Sequence, residues 1–215
     1  MNKQNKKYLS AAVLLLAAFV LWTAAVCIVD LQPIGPEASV VGFATLNGFV
    51  HNLTGVHMAL YDLTDLLSII PLMIVLFFGL IGFIQLVKRK SLLKVDFDIL
   101  VLGGFYIVVI GSFLLFEVLD INYRPVLIEG VLEASYPSST TMLALCVMPT
   151  AMLQLHAHCK KCLIVQILLA VFTVFMVVAR LISGVHWFTD IVGGILLSSG
   201  LVLLYLAFSN WKSNK

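Results

Sequence analysis

The sequence predicts an all-α polytopic membrane protein, a six-transmembrane-helix bundle, and three observations carry that reading. The 215 residues are 61% hydrophobic and 11% charged, with a mean hydropathy of +1.09, which is more apolar surface than a soluble domain of this length can bury. The apolar residues fall in long uncharged runs, and a hydrocarbon core about 30 Å thick needs about 20 such residues per helix. The basic residues gather in short clusters at the ends of alternate runs, as they do when cytoplasmic loops retain lysine and arginine.

The runs predict spans at residues 9–29, 67–87, 97–119, 139–157, 162–182 and 188–209, forming a single domain over 1–215. The first follows a basic start and imitates a secretion signal, but it is longer than the usual apolar region of about 7–15 residues, so a retained helix is expected. Ala24-Ala25-Val26-Cys27 resembles a lipoprotein cleavage sequence, yet Val26 is large where a small residue is needed, and no lipidation is expected. Between the first two spans lies a long loop, 30–66, in which Phe43, Leu46, Val50, Leu53 and Leu60 recur at helical spacing with His51 and His57 between them. That pattern predicts a helix lying in the membrane interface, as packing or lid element. Asn52-Leu53-Thr54 fits a glycosylation sequon, a triplet common by chance.

The remaining links are a basic one at Lys88 to Asp96, a polar one at Asp120 to Ser138, and two tight turns. With both termini in the cytoplasm, eleven of the thirteen basic residues lie inside, all but Arg124 and Arg180. The expected setting is a bacterial plasma membrane with the end that carries these two arginines facing outward. The formal net charge of +2 gives no footing for nucleic acid.

Arg124 and Arg180 either reach to the interface and pair with acids such as Glu117 and Asp120, or hold an anion. Arg180 stands six residues before His186 in the turn between the last two spans, and Asp190 follows His186 by four. On one helix face Asp190 could accept a hydrogen bond from the imidazole, fixing its tautomer and leaving the other nitrogen as nucleophile or base. The plainer alternative is a helix-capping Asp190 beside an interfacial His186. A guanidinium offers several donors in a planar fork suited to phosphate oxygens. In the other polar link, Pro137-Ser138-Ser139-Thr140-Thr141 reads as a helix start. The first N–H groups there, from Ser138 and Ser139, with the Ser138 hydroxyl, form either an ordinary cap or an anion site.

In order and spacing these residues resemble the type 2 phosphatidic acid phosphatase family. Its signatures are a lysine, six residues, then Arg-Pro; Pro-Ser-any-His; and Ser-Arg, five residues, His, three residues, Asp. Arg180, His186 and Asp190 match the third, with Ala179 for its serine; Arg124-Pro125 and Pro137-Ser138 match parts of the other two. Glu117 stands where the family has lysine, and Thr140 where it has the histidine thought to protonate the leaving group. The resemblance implies a membrane lipid phosphatase working through a phosphohistidine on His186, oriented by Asp190, with Arg124, Arg180, Ser138 and Ser139 binding phosphate. Neither metal nor cofactor is implied; the partners are the bilayer and a lipid phosphate, of the phosphatidate or polyprenyl diphosphate type.

Without the general acid, a diphosphate that leaves as phosphate suffers less than an ester that leaves as alkoxide. Glu117, Glu133, His51 and His57 are candidate substitute acids, and Glu117 at a membrane boundary could carry a proton. Two alternative functions remain: a lipid phosphotransferase, and a non-catalytic member that binds or moves a phospholipid. At the opposite face His156, His158, Cys159 and Cys162 have spacing that permits zinc, but Lys160 and Lys161 between them make an interfacial turn the expected reading.

Overall fold

The protein was analysed as a computed structural model in which residues 3–158 and 162–209 are described. Its helices are α1 (Lys3–Ile28), α2 (Ala44–Thr54), α3 (Met58–Leu67), α4 (Ile69–Arg89), α5 (Phe97–Leu119), α6 (Ser139–His158), α7 (Leu163–Ile182) and α8 (Phe188–Ser209). Among the described residues six stretches are long and apolar enough to cross a membrane: α1, α3 with α4, α5, α6 through Ala157, α7 and α8. The chain is a multi-pass integral membrane protein.

Two boundaries differ from the apolar runs. The first helix begins at Lys3, six residues before its apolar run, since lysine, glutamine and asparagine continue a helix that has left the hydrocarbon. The helical spacing in the first loop is split: α2 stops at Thr54, Gly55 takes φ +68°, and Leu60 belongs to α3. Hydropathy passes over α3 because Tyr61, Asp62, Thr64 and Asp65 interrupt its apolar residues. The bend into α4 falls at Ser68, whose hydroxyl donates to the Asp65 carbonyl at 2.5 Å.

α6 and α8 are the inner helices, each about half buried, whereas α4 buries only Pro71 along its length. α8 packs mainly on α1 and α6. The core joins Phe19 and Val26 of α1, Phe105 and Val109 of α5, Met142 and Val147 of α6, and Leu197 and Leu201 of α8. Close approach to α8 depends on a missing side chain: a Cβ at Gly193 would lie 2.7 Å from the Tyr136 ring.

The start of α8 is held from two directions. Asn47 of α2 is fully buried; its amide nitrogen donates to the Gly42 carbonyl and the Thr189 hydroxyl at 2.7 and 2.9 Å, and its oxygen accepts the Thr189 N–H at 3.1 Å. The Trp22 indole of α1 donates to the Thr189 carbonyl at 3.1 Å. Asn47→Ala strands a buried backbone N–H at the start of α8 and should cost about 3 kcal/mol. Thermal unfolding in detergent reads this as a lowered midpoint; an unchanged midpoint would show that the clamp is not stabilising.

Candidate active site

Sequence-predicted residues converge at the end of the bundle where α1, α5 and α7 finish and α6 and α8 begin. His186 lies in the turn 183–187. That turn starts as α7 is capped by Ser183, whose N–H donates to Ala179 and whose hydroxyl donates to the Arg180 carbonyl. Gly184 then reverses the chain at φ +70°.

Asp190 is fully buried and serves several partners. Its Oδ2 accepts the Trp187 N–H at 3.0 Å, the reciprocal cap of a helix start, and its Oδ1 accepts from Asn122 at 3.2 Å. The same Oδ2 lies 3.6 Å from His186 Nδ1, which is ion-pair distance but outside hydrogen-bond reach. Cap and histidine neighbour, alternatives in the sequence, are therefore one carboxylate doing both.

The link between α5 and α6 folds into a small hairpin, with Ser135 N–H donating to Asn122 O and Arg124 N–H to Glu133 O. The hairpin delivers Arg124, 8% exposed, to His186: Nη1 is 3.4 Å from Nε2. A guanidinium only donates, so Nε2 presents its lone pair and the ring proton is assigned to Nδ1, on the side of Asp190. Arg124 Nε also lies 3.0 Å from a Glu133 carboxylate oxygen. Burial first, then the charges of Arg124 and Arg180, hold the His186 pKa well below 6.5. The ring is thus neutral, as a nucleophile or base must be.

This depression has a thermodynamic consequence. Below pH 6.5 the unfolded chain protonates its histidine while folded His186 does not, so the unfolded state binds more protons and stability falls as pH drops from 6.5 toward the folded value. His51, held down by burial alone, acts in the same direction. Thermal unfolding between pH 5 and 8 should show this loss, and His186→Asn should flatten it; an equal slope in the variant would contradict the assignment.

A polar cavity of about 170 Å³ opens beside His186 and Arg124, lined also by Glu117, Glu133, Ser135, Ser139, Tyr136 and Phe116. Five predicted positions stand elsewhere. Arg180 does not line the cavity: it is 1% exposed, donates to Thr64 Oγ1 at 2.9 Å and faces the Tyr61 ring at 4.7 Å, because α3, unseen in the sequence, takes its guanidinium. The Ser138 N–H is occupied by the Asp190 carbonyl at 3.1 Å, and its hydroxyl is buried without a hydrogen bond. Thr140 lines an adjoining cavity of about 280 Å³ with Asp65, Leu72 and Ile110. His51 packs against Trp187 with ring centroids 5.4 Å apart, and His57 contacts the Thr54 carbonyl; neither lines the cavity.

Asn122, Ser135 and Trp187 were missed. Only their closeness in sequence to Arg124, Tyr136 and His186 marked them. Of the candidate zinc cluster, Cys159 and the Lys160-Lys161 link lie outside the described residues, as do Lys212 and Lys215; Cys162 is disulfide-bonded. No group of three or more metal-ligating side chains occurs among the described residues.

Comparison with curated proteins found no significant match. Among solved structures, the fold is similar to the crystal structure of the first transmembrane PAP2 type phosphatidylglycerolphosphate phosphatase from Bacillus subtilis, at a TM-score of 0.59 and 24% identity, over 95% of this chain and 97% of that one. Residues 116–214 match the model of the PAP2 superfamily. This segment carries Arg124, Arg180, His186 and Asp190.

Proposed function

We propose that the chain acts as one integral membrane phosphatase unit that hydrolyses a lipid phosphate or diphosphate through a phosphohistidine at the extracytoplasmic face. The observation that carries this reading is His186 Nε2, unprotonated and beside Arg124 in a polar cavity at the bundle end. Its lone pair attacks phosphorus, and the bond from phosphorus to the leaving oxygen breaks. Arg124 stabilises the charge that builds on the phosphoryl oxygens, and Asp190 faces the positive charge of the phosphorylated ring. Water then displaces the histidine, giving phosphate and free enzyme. Arg180 adds positive potential from behind while Thr64 holds it in place.

With Thr140 facing the adjoining cavity, a leaving group that needs no proton is served best, which favours an anhydride such as a polyprenyl diphosphate over a phosphate ester. The outward orientation rests on the distribution of lysine and arginine. The test is phosphate release by the purified protein in detergent from undecaprenyl diphosphate and from phosphatidate, with a chelator present, beside His186→Ala. No release above that variant on any lipid phosphate would leave the binding or transport reading in its place.

A further inference from the structure

Glu117, on α5, lines the same cavity as His186 and Arg124, is exposed, and has no hydrogen bond or ion pair with any described residue. Glu133 lines it too, but lies against Arg124 at 3.0 Å. The cavity thus holds one carboxylate matched by a guanidinium and one with no match among the described residues. Two further polar groups face it without a hydrogen bond. The His186 side chain is 1% exposed and Arg124 is 8% exposed, with Nδ1 and Nε outside hydrogen-bond geometry; both line the cavity.

A bare phosphate entering this space gains Arg124 but meets the unmatched carboxylate of Glu117, a like-charge contact that weakens binding. A ligand with a cation close to its phosphate turns that contact into an attraction while leaving phosphate, Arg124 and His186 in register. A divalent ion fits less well, since no cluster of three ligating side chains is present among the described residues. We infer that the cavity favours a lipid phosphate or diphosphate with a primary ammonium within a few bonds of the phosphate over the same lipid without one, a preference separate from that between ester and anhydride, and that Glu117 is the residue that recognises the ammonium.

This inference rests on the phosphatase reading for its site, but it is tested separately. Two lipids with the same phosphate are compared in chelator, sphinganine 1-phosphate with its free amine and the N-acylated counterpart without it. Binding is read by intrinsic tryptophan fluorescence and turnover by phosphate release. An exposed charge pair of this kind corresponds to about a fivefold preference for the amine, which should shrink as salt rises. Glu117→Gln, conservative at an exposed position, should abolish the preference, and Glu117→Lys should reverse it. Equal binding of the two lipids by the unaltered protein overturns the inference, as does a preference that survives Glu117→Gln. A preference that appears only when magnesium is added overturns it in favour of a bridging metal. An amine preference in binding with no phosphate release from any lipid supports Glu117 as the recognition residue and removes the phosphatase reading instead.

Discussion

His186→Ala should reduce phosphate release by on the order of 10⁴-fold or more, because removing a nucleophile closes the covalent route and leaves only positioning and electrostatics. The loss belongs in turnover, with lipid binding nearly retained, since Arg124 reaches the cavity through its own hairpin, whose backbone bonds run from Arg124 to Glu133 and from Ser135 to Asn122. The fold should survive as well. The His186 ring is held by few polar contacts, the 3.4 Å approach of Arg124 and the Ser135 backbone. Rapid quenching of the unaltered protein with lipid carrying labelled phosphate should trap label on the protein, and the alanine variant should trap none. Label that persists on the variant would move the nucleophile elsewhere.

Gly184→Ala should be the most damaging small substitution in the turn. Its φ of +70° is a left-handed conformation that costs an L side chain about 1–2 kcal/mol. An added methyl would also run into the Gly55 carbonyl, which is backbone and has no rotamer with which to retreat. The neighbouring bond from His57 N–H to the Ser183 carbonyl, 2.9 Å long, pins the two loops together at that point. Strain and overpacking together should cost about 3 kcal/mol. His186 is two residues away, and a shift of about 1 Å in a reacting group is worth about 10²-fold in rate. Unfolding in detergent and turnover should therefore fall together; a variant that keeps both would mean that the 55–57 loop yields easily.

The spans were legible because lipid imposes a length and a polarity on each run, and the third signature was legible because its spacing lies within one turn and one helix start. Arg180, His186 and Asp190 needed no long-range information to be found. What became of Arg180 did. Its partner Thr64 is 116 positions earlier, on a helix whose acids and tyrosine hide it from hydropathy. Ser138 shows a similar limit: a helix start looks open in sequence, whereas in the fold its N–H donates to the Asp190 carbonyl. Thr140 and Glu117 were read as losses of a histidine and a lysine. Their placement in two different cavities follows from the rotation of α6 and α5, which a run of apolar residues does not encode.

The bond from the Trp22 indole to the Thr189 carbonyl joins α1 to α8. A growing chain makes α1 well before α8. Until α8 arrives, α1 has no partner for that indole, Asn47 has no N–H to accept, and Asn122 has no Asp190 to hold. The polar surroundings of His186 are therefore assembled by the same docking of α8 on α1 that builds the core, so loosening that contact should displace Asp190 as well.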